Sequence, residues 1–424
     1  MSIRLYNTLT RSLEPLPAPP GPIRMYFCGP TVYQRAHVGN ARPFLLGMWL
    51  RNWLRELGYE TSLVHNITDI NDSIYEAAPG RSAQLAEEAT RWYIEHTGAF
   101  GLGMPDHLPK ATEMVAEIVR FIEELIERDY AYAAEGDVYF RVARDSRYGR
   151  LSGQRPDQVE EQEPNPLKED SRDFALWKAN KPDEDTSWHS PWGLGRPGWH
   201  IECSVMAEEL LGPAFEIHGG GLDLVFPHHE NELAQSTALG HEFARIWTHN
   251  GMLRFTGEKM SKSRGNFVTI QEAIEEWGRE ALLVFFLTGH WRKPIDFSEE
   301  TVESAATRAE TFREVFRNPS EPAPPGAWDS LVATLSDDFN TPEALAILHG
   351  WRDHELLQRA LAIFGLASLA ESEAAPAGVV KLAELRRRAR SDRDFGEADR
   401  LRDEIDAAGW VVRDEAGGFQ LVPK

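Results

Sequence analysis

Cysteine is nearly missing from this 424-residue chain, with Cys28 and Cys203 the only two. A pair so far apart builds no disulfide framework, so the small stapled secreted folds are excluded and the reducing cytoplasm is the expected compartment. Long apolar runs are missing too. No stretch reaches the roughly 20 uncharged apolar residues of a membrane span, and Met1-Ser2-Ile3-Arg4-Leu5-Tyr6 does not read as a secretory leader, so no membrane association is expected. Positive charge is scarce: 45 Lys and Arg against 67 Asp and Glu give a formal net charge of −22. That sign argues against indiscriminate nucleic-acid binding, because phosphate contacts need Lys and Arg, but it leaves room for a local basic face. There are no internal repeats.

Core material, by contrast, is plentiful. With 42% hydrophobic residues, including 13 Trp and 20 Phe, the chain can bury a large core, and at about 150 residues per domain its length implies two to four domains. The first ninety residues read as β-α-β. A strand over Ile23 to Phe27 runs into Cys28-Gly29-Pro30-Thr31. A helix from about Gly39 sets Phe44, Met48, Trp49, Trp53 and Leu57 on one face and stops at Gly58. A second strand, Thr61 to Ile67, leads into Thr68-Asp69-Ile70-Asn71-Asp72. This is the opening of a nucleotide-binding, doubly wound α/β sheet, whose ligands sit beyond the strand ends.

From about Arg81 to Pro191 the pattern changes and reads as an insertion. A helical stripe (Met114, Val115, Ile118, Ile122, Leu125, Ile126) precedes a strand over Asp137 to Val142 and a loop over Glu160 to Glu169. The sheet is expected to resume at Pro197 to Cys203 and Ala214 to Phe226, followed by a helix from Ile270 to Phe286. Asn318 to Gly326 is a linker, a helical segment covers about Trp328 to Leu369, and a break at Ala374 to Gly378 precedes a terminal helix pair and hairpin. The expected domains are therefore 1–300 with the insertion at about 81–191, a helical domain at 301–370 and a small domain at 379–424.

Three segments carry chemistry. His37-Val38-Gly39-Asn40 lies at a helix start, where unpaired N–H groups and the dipole favour a phosphate, although four residues alone are a weak signal and fit a plain helix entry better. Lys259-Met260-Ser261-Lys262-Ser263-Arg264-Gly265-Asn266 is a polar loop able to hold a triphosphate, and its specificity comes from its pairing with the histidine segment about 220 residues earlier. The third is a metal set. His228 and Glu232 share a helix face at i, i+4, while Cys28 and Cys203 end apparent strands. One imidazole, two thiolates and a carboxylate suit zinc, whereas two buried cysteines and a polar helix start are the plain alternative. The one dense basic run, Arg386-Arg387-Arg388-Ala389-Arg390, reads by itself as a solvated face balanced by Glu384, Asp392 and Glu397.

Together these motifs are specific. Phe27-Cys28-Gly29-Pro30-Thr31-Val32-Tyr33, Gly198-Trp199-His200-Ile201-Glu202-Cys203-Ser204, the run from His218 to Glu232 and the Lys259 loop resemble the cysteinyl-tRNA synthetase family. The resemblance is strong over residues 3–315 and returns at Asp337-Asp338-Phe339-Asn340-Thr341-Pro342 and at Phe395 to Asp403. It implies a class I synthetase: a Rossmann-like parallel sheet with an inserted subdomain, a helical domain, here shortened, that binds tRNA, and a small domain on the anticodon side. It implies ATP with Mg2+, L-cysteine and tRNA-Cys as partners of a monomer. One Zn2+ per chain on Cys28, Cys203, His228 and Glu232 would bind the substrate sulfur. By the same carry-over Gly29, Thr68, Trp199 and Asp223 contact cysteine. His37, Gly39, Asn40, Lys259, Ser261 and Lys262 contact ATP, with His37, Asn40 and Lys262 acting in catalysis.

This sequence departs from the family pattern in places. Asn40 stands where the motif normally ends in histidine, and asparagine still donates to a phosphate oxygen. Asn71 and Ser73 replace an acidic and a basic residue, and Gly418 to Lys424 lack the usual basic ending. Two rivals share parts of the pattern. A ligase joining cysteine to an amino-sugar inositol in mycothiol synthesis has the same zinc and ATP motifs but no use for an anticodon end. A non-catalytic paralogue has no need of an intact Lys259 loop.

Overall fold

The computed structural model describes residues 2–154, 164–255, 258–259, 268–371, 375–415 and 418–423. Four parallel strands form the central sheet in the order Ile246–Asn250, Ile217–Gly221, Ile23–Phe27, Thr61–His65. In Ile23–Phe27 every residue but Arg24 is buried, as expected of a strand covered on both faces. The helix Ala41–Glu56 packs on this sheet as the crossover, and its Phe44, Met48, Trp49 and Trp53 join the main core. The strand Ile217–Gly221 is Ile-His-Gly-Gly-Gly. A β-carbon on Gly219 would stand 2.3 Å from the Phe27 ring, so the neighbouring strand can keep its phenylalanine only because glycine lies opposite.

A second, antiparallel sheet has the order Ala131–Ala134, Asp137–Phe140, Phe174–Ala179, Gly193–Pro197, Trp188–Ser190, and shares a core with the helix Val115–Glu127. Four helices, Glu299–Arg317, Ala327–Ser336, Thr341–His349 and His354–Ile363, contribute to the same core as the parallel sheet. At the C-terminus the helices Ala377–Ser391 and Phe395–Ala407 and the hairpin Trp410–Glu415/Gly418–Pro423 have their own small core of Val379, Ala383, Ile405 and Trp410. No helix of the described residues is long and apolar enough to cross a membrane.

Several expected elements take another form. The segment after Pro197 does not rejoin the parallel sheet. Gly193–Pro197 belongs to the antiparallel sheet, and Trp199–Leu211 is a helix, so Cys203 sits on a helix. The run Ile201–Ala207 is buried throughout, and a helix buried all round shows no 3.6-residue polar period to betray it. The strand expected over Ala214 to Phe226 is confined to Ile217–Gly221, after which the chain winds into helical turns. The expected Asp137 to Val142 strand ends at Phe140. The helix expected from Ile270 to Phe286 is two, Ile270–Trp277 and Arg279–Thr288, broken at Gly278, whose φ of +79° no helix accommodates.

Candidate active site

The C-terminal edge of the parallel sheet gathers the chemistry. Cys28 follows the strand Ile23–Phe27, Cys203 comes from the first turns of Trp199–Leu211, and His228 and Glu232 come from the turn Val225–His229 and the helix it enters, Glu230–Ala238. One ligand atom from each lies within 4.8 Å of the others, and all four residues are buried. Cys28 Sγ is 3.8 Å from Cys203 Sγ and 3.7 Å from Glu232 Oε1, and His228 Nε2 is 3.1 Å from that same oxygen.

Burial pushes the Cys28 thiol and the Glu232 carboxyl well above their usual range and drives His228 well below its own. Among the described residues no Lys or Arg pairs with Glu232; its partners are His218, His228, His229 and Cys28. Two sulfurs, an imidazole and a carboxylate that converge without a counter-charge form a donor set that a divalent cation would complete, and the soft S/N/O mixture fits zinc.

A layer of histidines that sequence reasoning assigned no role surrounds these four. His218 Nε2 lies 2.7 Å from Glu232 Oε2, which leaves Oε1 turned toward the cluster. His200 Nδ1 lies 2.9 Å from His228 Nδ1, which leaves Nε2 of His228 as its inward atom. His229 Nε2 is 3.3 Å from Cys28 Sγ, and its other nitrogen meets His249, which reaches Thr8. His218 and His200 are held neutral by burial, with pKa lowered to about 3 in both. Such partners fix ring orientation and tautomer around a metal. A second grouping, Cys28, His218, His229 and Glu232, also converges within 4.8 Å, but there His218 is already engaged with Glu232. The only sequence signal for this layer was the presence of His200, His218 and His229 inside the quoted motifs, and His249 lay outside them.

Beside the cluster lies a cleft of about 360 Å³ whose lining includes Cys28, Gly29, His37, Gly39, Asn40, Trp199 and Asp223. Gly29 is there for space: a β-carbon would sit 1.7 Å from the Asn66 carbonyl oxygen, and the Gly29 N–H donates to Asn66 Oδ1 at 2.9 Å. Asn40 accepts the His37 N–H on its Oδ1 at 3.1 Å. Trp199 stacks on His228 with ring centres 4.3 Å apart, joining the cleft to the cluster. Asp223 is exposed at the cleft. Thr68 is not among the cleft-lining residues. It is buried, and its backbone pairs with Pro30 and Val32, bracing the loop that follows Cys28. The backbone of Lys259 lies in the short strand Glu258–Lys259, while Ser261 and Lys262 fall outside the described residues.

Comparison with known proteins adds three findings. Residues 16–307 match the family model described as tRNA synthetases class I (C) catalytic domain, and residues 373–421 match that of the cysteinyl-tRNA ligase anticodon binding domain. The chain is 40% identical over 461 aligned residues to a cysteine–tRNA ligase of Anoxybacillus flavithermus, and 41% identical over 457 to one of Rhodospirillum rubrum, with 99% of each chain covered in both cases. These alignments are longer than the chain itself, so this chain lacks segments that those relatives have. Among solved structures, methionyl-tRNA synthetase of Mycobacterium tuberculosis in complex with methionyl-adenylate shares the fold, with a TM-score of 0.58 at 15% identity, covering 82% of this chain and 88% of that one.

Proposed function

The chain belongs to the cysteine–tRNA ligase family of class I synthetases, and from that premise we propose that it activates L-cysteine with ATP as cysteinyl-adenylate and esterifies it to the 3′-terminal adenosine of tRNA-Cys. One zinc ion per chain, on Cys28, Cys203, His228 and Glu232, and Mg2+ accompanying ATP complete the reading. The observation that carries it is the buried quartet, which meets no Lys or Arg counter-charge among the described residues and adjoins a cleft that also holds the helix-start segment His37 to Asn40. One chain supplies all of these groups, as a monomeric enzyme requires.

A zinc ion there supplies positive charge that favours a thiolate and a preference for sulfur over hydroxyl oxygen, which separates cysteine from serine without an editing site. The protein's own groups do the rest. Asp223 is assigned the substrate ammonium, and Trp199, held against His228, closes the side of the pocket. Gly29, whose missing β-carbon lets the loop after Cys28 lie against the Asn66 carbonyl, is assigned to the substrate through its place in the cleft, and Thr68 acts from behind, on the loop that carries Gly29 and Pro30. Asn40 spends its oxygen on the His37 N–H, so its amide nitrogen is the end left to donate to a phosphate oxygen. His37 and the Gly39 backbone stand at the same helix start. Lys262, with Lys259 and Ser261, is assigned the charge that grows on the phosphates as the cysteine carboxylate attacks the α-phosphorus and pyrophosphate leaves. That is catalysis by position and electrostatics. The match at residues 373–421 speaks against the amino-sugar ligase, which has no anticodon to read.

Cysteine-dependent ATP–pyrophosphate exchange, followed by charging of purified tRNA, tests the reading. Lys262→Ala should slow exchange by about 10²–10³-fold, the scale of one well-placed charge at a transition state, with cysteine affinity nearly unchanged. Exchange near the wild-type rate in that variant would remove Lys262 from catalysis. A wild-type chain that exchanges but never charges tRNA would favour the amino-sugar ligase.

A further inference from the structure

The segment Asp337 to Pro342 stands out in the sequence and has no part in the chemistry above. Asp338 and Phe339, between the helices Ala327–Ser336 and Thr341–His349, both have left-handed backbones, with φ of +58° and +47°. Such a backbone is unfavourable without glycine and persists only where the surroundings over-determine it. Here they do. The Asp338 N–H donates to the Arg4 carbonyl at 2.9 Å, and Asp338 Oδ1 accepts the Tyr6 N–H at 2.8 Å. Its Oδ2 accepts from Arg292 at 2.6 Å, and its carbonyl accepts the Trp291 indole N–H at 2.8 Å. One buried residue thus ties the N-terminal strand Arg4–Asn7 and the 290–292 segment to the helical region.

The 290–292 segment in turn holds the cleft wall. The Trp291 carbonyl accepts the Gly251 N–H at 2.8 Å, and the Ile295 N–H donates to Met252 O at 3.1 Å. Arg42, buried at the start of the helix Ala41–Glu56, donates to the carbonyls of Gly251 and of Lys293, binding the two segments from the other side. Gly251, Met252 and Leu253 line the cleft, and the strand Leu253–Phe255 leads toward the segment that carries Lys259 and Lys262.

We propose that Asp338 is a positioning residue for ATP: by fixing Arg292 and Trp291 it sets the Gly251–Leu253 wall, so that the helical region and the nucleotide side of the cleft move as one body. The inference rests on the reading of the cleft as the ATP site.

The test uses full-length, zinc-loaded enzyme and measures exchange with ATP and cysteine varied separately, alongside Tm. Asp338→Ala should change kcat/KM for ATP by roughly 10- to 100-fold, the effect of a small misplacement propagated from a distance, with the KM for cysteine within about twofold. Asp338→Asn, which keeps an oxygen for the Tyr6 N–H, should recover part of the loss. Arg292→Gln should act in the same direction, and the double variant should be no worse than Asp338→Ala, because both changes sever one connection. If Asp338→Ala fails to fold, Arg292→Gln decides the matter, since that side chain is 35% exposed. Variants that lose Tm but keep wild-type kinetics while folded, or that lose ATP and cysteine parameters in equal proportion, overturn the brace. A wild-type chain without cysteine-dependent exchange overturns the activation reading and the brace with it.

Discussion

Around Glu232 and around Asp414 the molecule uses ionisable groups under opposite conditions. The cysteine–histidine–glutamate cluster has its ligands and its supporting His218, His229 and His249 almost wholly excluded from water, with His200 partly buried, in a region continuous with large hydrophobic cores. The C-terminal unit has a small buried apolar set, Val379, Ala383, Ala398, Leu401, Ile405 and Trp410 among the described residues, and supplements it with Arg386 and Arg390 on Asp414, a carboxylate whose side chain is 44% exposed. In the first region charge is unscreened and any missing partner is felt in full, while in the second water and salt absorb most of a change. Effects of substitution should therefore fall steeply from the first region to the second.

The largest effect is expected at Cys203. Cys203→Ala removes one of four converging donors from a site where, among the described residues, no Lys or Arg pairs with Glu232 to compensate, so zinc content and cysteine binding should fall together. Metal analysis by mass spectrometry beside cysteine-dependent exchange checks this, and full zinc occupancy with unchanged cysteine affinity would remove the quartet as the metal site. A smaller effect is expected one layer out. His218→Gln leaves all four ligands but loosens the grip on Glu232 Oε2, and partners of this kind are typically worth about 10–100-fold in metal affinity. Competition with a chelator of known affinity measures it, and equal zinc affinity in variant and wild type would make His218 a packing residue only.

How much of this could be read beforehand differs between the regions for physical reasons. The strands at Ile23 and Thr61 and the helix after Gly39 announce themselves by period and by glycine stops. The helix of Cys203 did not, because burial on all sides erases the polar stripe that marks an amphipathic helix. The four converging donors were visible as residue types inside distinctive motifs. Their histidine supports were not assigned, because side-chain orientation at Glu232 and His228 depends on contacts between elements far apart in sequence. The same applies to Asp338, whose partners Tyr6 and Arg292 lie in distant segments. In the C-terminal unit the arginine run suggested balance by Glu384, Asp392 and Glu397. The structure instead turns Arg386 inward, its guanidinium donating to both oxygens of Asp414 at 2.7 and 3.1 Å. A helix in which four of five successive residues are arginine must point one of them at its own core, and only the hairpin's position shows which.

That inward turn separates two kinds of arginine and sets the smallest expected effects. Arg387 and Arg388 are exposed and make no ion pair among the described residues, whereas Arg386 is buried. In a unit matched to an anticodon binding domain, exposed arginines are the groups able to meet phosphate. Replacing Arg387 and Arg388 with glutamine should leave melting unchanged but flatten the dependence of log Kd for tRNA on log salt by about 0.7–0.9 per lost contact, because fewer counterions are released. Arg386→Gln should do the reverse. It leaves Asp414 with Arg390 alone and puts a glutamine in the buried site without its bidentate partner, lowering the stability of the C-terminal unit by about 1 kcal/mol after allowance for the exposure of Asp414, with the salt slope preserved wherever the unit stays folded. Salt titrations of tRNA binding and thermal melts on the two variants separate these outcomes. Equal slopes for wild type and the Arg387/Arg388 variant would take both side chains off the phosphate backbone, and an altered slope with unaltered melting in Arg386→Gln would mean that the buried arginine reaches the RNA after all.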